Sequence, residues 1–239
     1  EWMASWSVFV DNPANLGYKD AGYDLPKLNV HEIVVDGNEA VQAKLSLMER
    51  REARRESLQQ RCEVAANLVN GGHGQWLVWC DLNAESELLC KLIKKSRDVK
   101  GSDDVLYKQR CMEAFTNKRL KCLISKPKIA GFGMNWQNCH NIIFVGLSDS
   151  YEQYYQAVRR CWRFGQKHDV NVYIVIAAKE GCVKQNIERK QADVSRMQKA
   201  MSEQTKEITK KELRKTVRMI EKYNAERKII LPEWSECEK

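Results

Sequence analysis

Several motifs that support catalysis are absent from this chain of 239 residues. It has no G-x-x-x-x-G-K-[S/T] phosphate loop and no Asp-Glu-x-His stretch, so it lacks the cradle for nucleotide phosphates and the carboxylates that hold Mg²⁺. No G-x-G-x-x-G opens a helix after a strand, which argues against a dinucleotide-dependent enzyme. We therefore expect the chain alone neither to hydrolyse ATP nor to bind it tightly.

Signals for metals and membranes are also missing. The nine cysteines include no C-x-x-C pair, which argues against a zinc site. No apolar run reaches the ~18–20 residues that span a bilayer. An odd number of cysteines within apolar segments favours reduced core thiols and a cytoplasmic setting. The start at Glu1 is neither an initiator methionine nor a signal sequence, which favours a fragment of a longer protein.

The chain is rich in positive charge. Lysine and arginine number 40 against 32 aspartate and glutamate residues, which gives a formal net charge of +8. This balance favours a polyanionic partner such as nucleic acid. The four histidines have no partner at the spacing of metal ligands or catalytic bases, so we interpret them as structural.

Apolar strands alternate with helices through the middle of the chain. Strands are predicted at 28–35, 76–79, 122–124, 141–145 and 170–177, and helices at 39–70, 85–95, 107–117 and 151–163. This alternation predicts an α/β fold, with a parallel sheet covered by helices on both faces. Ligands of such sheets bind at the carboxyl ends of the strands, where we expect the motif loops.

The chain divides by pattern into three regions. Residues 1–29 are expected to combine the end of a preceding domain with a connector, and residues 30–180 to form the α/β domain. Residues 181–239 are basic and helical in character and form a predicted C-terminal helical extension. A docking role for this extension is favoured over direct contact with DNA.

The most informative segment spans residues 156–166. At ~100° per residue, a helix here places Gln156, Arg160 and Arg163 on one face, opposite an apolar face, and so aims the arginines outward. Guanidinium groups on a rigid element suit the clamping of phosphate oxygens during phosphoryl transfer. Taken locally, the same spacing also fits surface salt bridges.

Two ordered motifs carry a family resemblance. Residues 125–135 read Ser-Lys-Pro-Lys-Ile-Ala-Gly-Phe-Gly-Met-Asn, a strand-sized segment follows at 141–145, and residues 156–166 read Gln-Ala-Val-Arg-Arg-Cys-Trp-Arg-Phe-Gly-Gln. Together they resemble motifs V and VI of superfamily-two helicases, with the Swi/Snf-like branch as the best match. The strong resemblance covers roughly residues 76–178.

The resemblance implies the C-terminal, RecA-like (P-loop-type) motor lobe of an ATP-dependent DNA helicase or translocase. ATP and Mg²⁺ would then be bound mainly by a missing N-terminal RecA-like lobe of the same protein. Segments at 48–57 and 147–151 resemble phage or prophage relatives of that branch, which implies a bacterial or phage-encoded protein of the nucleoid. The alternative is a non-catalytic module for nucleic-acid binding or assembly that keeps only the fold.

The resemblance also assigns roles near the nucleotide. Arg163 matches the arginine finger of the family and Arg160 the preceding arginine, and both are expected to reach the γ-phosphate. The nucleotide-binding set is completed by Gly131, Gly133, Asn135 and Gln156. Asn135 could instead be an ordinary loop cap.

A second set is expected to contact the backbone of DNA, although RNA is not excluded. Ser125 and Lys126 follow a strand end, and Asn83 stands in the position of motif IV. Arg159 is interpreted as a surface or DNA-facing charge. The four arginines within residues 49–56 fit a solvated helix face better than a DNA contact.

Overall fold

The computed structural model describes residues 25–35, 46–130, 133–178 and 181–215. Six strands in these ranges form one sheet in the order β1-β6-β5-β2-β4-β3, and each strand runs parallel to its neighbours. The strands are β1 (Leu28–Val34), β2 (Trp76–Cys80), β3 (Ser96–Val99), β4 (Cys122–Ser125), β5 (Asn141–Val145) and β6 (Val170–Ile176). The helices are α1 (Leu47–Glu56), α2 (Leu58–Gly71), α3 (Asn83–Leu92), α4 (Val105–Thr116), α5 (Pro127–Ala130), α6 (Tyr151–Val158) and α7 (Gly181–Lys215).

Helices cover both faces of the sheet. On one face, α4 and α6 bury Phe115 and Ala157 in a cluster that includes Trp136. On the other face, α2 and α3 bury Val69 and Leu89 against residues of alternate orientation in the same strands. This arrangement confirms the predicted α/β fold class, a parallel sheet covered by helices on both faces, with a C-terminal helix after the last strand.

Local sequence explains the strongest elements. All five residues of β2 and of β5 are buried, as continuous apolar runs between two helical layers require. The side chain of Asp104 accepts hydrogen bonds from the amides of Leu106 and Tyr107, which fixes the start of α4. The Ser150 hydroxyl caps α6 in the same way.

The structure differs from the predicted elements in one helix and one strand. The single helix expected at 39–70 is divided at Ser57 into α1 and α2, and its first residues lie outside the described ranges. The hydroxyl of Ser57 donates to the Ala53 carbonyl and accepts from Nε of Arg61, so Ser57 serves the junction with its side chain. The edge strand β3 was not predicted, because Ser-Arg-Asp-Val has little apolar character.

The chain divides into two compact units. The larger unit, Lys19–Lys199, contains the sheet. Val183 and Ile187, at the start of α7, are buried in the core, so the first turns of the predicted extension belong to the α/β domain. Among the described residues, no helix combines the length and apolarity needed to cross a membrane.

The second unit comprises residues 1–18 and 200–239. Of these, the structure describes residues 200–215, which are helical. Most of the predicted connector at 1–29 lies outside the described residues, and the proposed domain boundaries stay predictions.

Candidate nucleotide and nucleic-acid sites

The predicted site residues fall toward two opposite edges of the sheet. Asn83 follows the turn after β2, and Ser125 and Lys126 lie at the end of β4. These three candidates for nucleic-acid contact therefore lie at the carboxyl edge of the sheet. Asn135 lies in the segment that leads into β5, and Arg163 lies in the loop that leads into β6. Because all strands are parallel, the nucleotide set is displaced toward the amino edge. The expectation that all motif loops lie at the carboxyl edge therefore does not hold.

The two arginines lie on a loop rather than on a helix. Helix α6 ends at Val158, so the helix predicted over 151–163 is too long by five residues. Beyond it, the carbonyl of Arg160 accepts a hydrogen bond from the amide of Trp136 at 2.9 Å. We call residues 159–166 the arginine loop. Its position is set by contacts with the β4–β5 segment, residues 126–140.

Arg160 points inward, contrary to the expected outward face. Its side chain leaves the residue only 8% exposed, and its Nη1 donates to the Met134 carbonyl at 2.9 Å. Nε donates to the carbonyl of Gln156 and Nη2 to the Gln156 side-chain oxygen, both at 3.0 Å. All three acceptors are neutral. Burial, and secondly the nearby charge of Arg163, lower the pKa of Arg160.

Arg163 is half-buried and follows Arg160 by three residues in the same loop. Its guanidinium forms no hydrogen bond or ion pair with any residue that the structure describes. Its positive charge contributes to the lowered pKa of Arg160. The site therefore holds two guanidinium groups with no described carboxylate between them, an arrangement that favours an incoming anion.

The arginine loop is braced from both sides. Nε2 of Gln137 donates a short hydrogen bond to the carbonyl of Phe164. Gly165 has φ +88, and a Cβ there would lie 2.9 Å from the Gln137 amide, so this position requires glycine. Nε2 of Gln166 donates to the carbonyls of Cys139 and Cys161 at 2.9 and 3.2 Å.

These bracing contacts were not predicted. Gly165 was predicted as the end of a helix and Gln166 only as part of the motif, and Gln137 was not singled out at all. A glycine two residues after Arg163 was the available signal for a loop, because glycine adopts positive φ without steric cost. No pattern in the sequence indicated that Gln137 would be its neighbour.

The remaining nucleotide candidates are distributed along the β4–β5 segment. Gly133 has φ +78 with open space where a Cβ would stand, and Asn135 is exposed. Gly131 lies outside the described residues. Gln156, in α6, accepts the two hydrogen bonds from Arg160 described above. Arg159 packs over the aromatic ring of Trp162 at 5.5 Å, which explains why it stays at the surface.

The three candidates for nucleic-acid contact differ in accessibility. Asn83 is exposed as the first residue of α3, where free helix amides face outward, and Lys126 is half-buried. Ser125 is fully buried, and its hydroxyl donates to the Val99 carbonyl at 3.0 Å. In this structure Ser125 fastens β4 to β3, whereas Asn83 and Lys126 remain accessible to a ligand.

One buried and one partly exposed ion pair occupy the carboxyl edge and were missed in the sequence. Arg61 and Glu85 are both fully buried, with Nη1 and Oε1 2.8 Å apart. The other oxygen of Glu85 accepts the amides of Asp81 and Leu82 at 2.9 Å. Nη1 of Arg54 lies 2.6 Å from the Asp81 carboxylate, so one arginine of the 49–56 run turns inward instead of facing solvent.

Histidine and cysteine side chains contribute little reactive chemistry. The rings of His140 and His168 lie 5.0 Å apart, and His31 stacks on Tyr173 at 4.8 Å, which are packing contacts between rings. The seven cysteines whose side chains the structure describes are free, six of them buried, and burial raises the pKa of Cys62 to about 12. Within the described ranges, no group of acidic, histidine or cysteine residues could hold a metal ion.

Comparison with known proteins places this geometry in a family context. Residues 60–165 match the family model described as helicase conserved C-terminal domain, a region that contains every candidate site residue. Protein CHROMATIN REMODELING 20 of Arabidopsis thaliana is 29% identical over 107 residues. That similarity covers 42% of this chain but only 7% of the plant protein.

Two solved structures resemble the chain at low identity. The C-terminal part of the Fun30 ATPase domain has a TM-score of 0.47 and 21% identity, covering 56% of this chain and 44% of that one. A DEAD box protein from the hyperthermophile Methanococcus jannaschii has a TM-score of 0.49 and 16% identity, covering 71% and 40%. The chain thus spans less than half the length of either structure.

Proposed function

We propose that residues 60–165, as the C-terminal domain of a superfamily-two helicase, form the second motor lobe of an ATP-driven DNA helicase or translocase of the Swi/Snf type. Helicase C-terminal domains are halves of two-lobe motors that bind nucleic acid. In this proposal a RecA-like lobe outside these 239 residues supplies the phosphate loop and the Mg²⁺ ligands. The phage or prophage type stays a prediction from sequence.

The observation that supports the motor most directly is that the two arginines of the arginine loop have no acidic partner among the described residues. Arg163 has no carboxylate partner among the described residues, and Arg160 beside it donates only to neutral oxygens. Guanidinium groups placed in this way stabilise the charge that develops on a transferring phosphoryl group. No ion pair would first have to break when the γ-phosphate arrives.

The geometry suggests different roles for the two arginines. Arg160 is nearly buried and binds the Met134 carbonyl, so it holds the arginine loop against the β4–β5 segment. Arg163 is more exposed and is the better candidate for direct contact with ATP. Gln156 orients Arg160 through two hydrogen bonds, while Gly133 and Asn135 stay proposed contacts to the nucleotide.

Nucleic acid would bind at the opposite edge. Asn83 and Lys126 are accessible there and suit contacts to backbone phosphates without reading sequence. Residues 126–140 run from this edge to the arginine loop, so the same segment contacts both proposed sites. Closure of the nucleotide cleft could in this way shift the nucleic-acid contacts.

The test is DNA-stimulated ATP hydrolysis by the full-length protein that contains both lobes. Arg163→Ala is expected to reduce turnover by about 10³-fold or more, because arginine fingers contribute at least that much. DNA affinity should stay unchanged. Arg159→Ala is the matched control, since it removes a neighbouring arginine that packs on Trp162.

Three results would contradict the proposal or one of its assignments. Full turnover by Arg163→Ala would show that this residue is not the finger. Loss of DNA binding with unchanged turnover would move Arg163 to the nucleic-acid interface. A full-length protein without DNA-stimulated hydrolysis would instead favour a binding or assembly module.

A further inference from the structure

A basic groove lies between β3 and α4, apart from both sets of candidate residues. Its charged lining consists of Lys95, Arg97, Arg110 and Arg119, with Tyr107 among them, and it encloses about 1030 Å³ open to solvent. Lys95 precedes β3 and Arg119 precedes β4, so the groove begins at the amino edge. In the sheet order, β4, β2 and β5 lie between β3 and β6, the strand that follows the arginine loop.

Strand and helix periodicity bring these residues together. In β3, Ser96 and Asp98 lie on the α3 side, where Ser86 donates to Asp98 at 3.1 Å, so Arg97 lies on the α4 side. In α4, Tyr107 and Arg110 are one turn apart and share a stripe along the helix. The hydroxyl of Tyr107 donates to the carbonyl of Asp98 at 3.2 Å and fixes the distance between the two elements.

The positive charges of the groove are not neutralised by neighbours. Lys95, Arg97, Arg110 and Arg119 form no ion pair with any part of the chain that the structure describes. The nearby carboxylate of Asp98 is turned to the other face of β3, where it lies 3.5 Å from the Lys100 ammonium. Four cations without carboxylates in one open groove complement a polyanion.

The backbone at the groove adds an independent indication. Lys95 and Lys118 have φ of 56 and 59, and they are the non-glycine residues with positive φ in the described ranges. Both stand in turns from a helix into a strand, where glycine would adopt this conformation without a steric cost. Strained residues persist where the surrounding structure holds them and cluster at ligand-binding sites. Here Lys95 lines the groove and Lys118 directly precedes Arg119 of its lining.

We propose that this β3–α4 groove binds the phosphate backbone of nucleic acid, as a second surface in addition to the carboxyl edge. Guanidinium forks match phosphate oxygens in geometry, and an open groove accommodates a long polyanion better than a single small anion. The site needs no ATP. Its failure would leave the proposed motor function intact, because the groove contains none of the residues assigned to it.

The test measures binding of the full chain to fluorescein-labelled duplex DNA across a potassium chloride series. The triple variant Arg97→Gln, Arg110→Gln, Arg119→Gln is expected to bind about tenfold or more weakly at low salt. The slope of log affinity against log salt should become shallower by about 0.9 for each phosphate that the variant no longer neutralises. The matched control neutralises three exposed residues elsewhere, Lys91, Arg196 and Lys199, and should bind nearly as the parent does.

The variant Lys95→Gly distinguishes a loss of DNA binding from a loss of stability. Glycine relieves the positive φ, so the melting temperature should stay equal or rise while DNA affinity falls. The proposal is overturned if the triple groove variant binds as the parent does, or if the control triple weakens binding as much. It is also overturned if polyglutamate at equal charge displaces the DNA from the parent as well as unlabelled DNA does, since the groove would then suit an acidic protein segment.

Discussion

Two buried arginines, one toward each edge of the sheet, have opposite electrostatic environments. Arg61 is fully buried and its Nη1 lies 2.8 Å from the Glu85 carboxylate. Arg160 is 8% exposed and donates only to the carbonyl of Met134 and to oxygens of Gln156. Burial alone therefore does not separate a structural arginine from a candidate functional one. The two arginines are distinguished by whether the group that each guanidinium contacts is charged or neutral.

This difference extends to the surroundings of each arginine. At the carboxyl edge, Asp81 pairs with Arg54 and Glu85 with Arg61, so the local charge is largely neutralised. Toward the amino edge, Arg160 and Arg163 lie close together without a described carboxylate partner. In the first arrangement, removal of one partner would leave a buried charge uncompensated, whereas the second leaves a positive field that a phosphate can neutralise.

The largest expected difference between the two arginines is in stability. Arg61→Met leaves the Glu85 carboxylate buried and without this partner, which should lower the free energy of unfolding by about 3–5 kcal/mol. Arg160→Met removes bonds to neutral oxygens only and should cost about 1–3 kcal/mol. Urea unfolding monitored by circular dichroism measures both.

A double variant serves as the control for this pair. In Arg61→Met with Glu85→Gln, the uncompensated charge is gone while the glutamine oxygen can still accept the amides of Asp81 and Leu82. Much of the stability removed by Arg61→Met should therefore return. Equal losses for Arg61→Met and Arg160→Met would show that the two environments do not differ as described.

Alanine substitutions at two glycines of similar backbone geometry test the Arg61 site against the β4–β5 segment. Gly146 has φ +80 and Gly133 φ +78, so alanine is strained at both by a similar amount, roughly 1–2 kcal/mol. A Cβ at Gly146 would lie 2.9 Å from Nη1 of Arg61, whereas nothing lies within 4 Å at Gly133. Gly146→Ala should therefore cost about 1–3 kcal/mol more than Gly133→Ala in urea unfolding. Equal costs would mean that the Arg61 site tolerates displacement.

The strands could be predicted because their sequence and their environment agree. Trp76–Cys80 and Asn141–Val145 are fully buried between helical layers, and continuous apolar sequence is what that position selects. Ser96–Val99 is an edge strand with a polar sequence, so its pairing with β4 depends on tertiary context that no local pattern carries.

The candidate site was predictable as a set of residues but not as a geometry. The spacing of Arg160 and Arg163 fits a helical face, yet α6 ends at Val158 and the side chain of Arg160 turns inward to Met134. That turn depends on a carbonyl 26 residues away in sequence. Similarly, the burial of Ser125 follows from the pairing of β4 with the unpredicted strand β3.

A smaller effect is expected from the brace of the arginine loop. Gln137→Ala removes the hydrogen bond to the Phe164 carbonyl and the packing on Gly165. A displacement of catalytic groups by about 1 Å can reduce turnover by about 10²-fold, so we expect a reduction of roughly 10- to 100-fold in the two-lobe protein. Gln153→Ala, in the cleft at the carboxyl edge, is the matched control. Full activity of Gln137→Ala would show that the loop is positioned without it.

The smallest expected effect is on the pH dependence of stability, which we expect to differ between the amino and carboxyl edges of the sheet. Burial, and then the charge of His168, lower the pKa of His140, which precedes β5 at the amino edge. A folded-state pKa below the ordinary value of about 6.5 means that the unfolded chain binds more protons, so stability should fall as the pH drops through 6.5. His140→Gln should reduce this pH dependence in thermal unfolding, because it removes the imidazole that titrates. The backbone carbonyl at position 140 can still accept the Asn171 amide, a hydrogen bond of 2.8 Å. If the dependence persists in His140→Gln, groups elsewhere cause it, and the amino edge is no more sensitive to protonation than the ion-paired carboxyl edge.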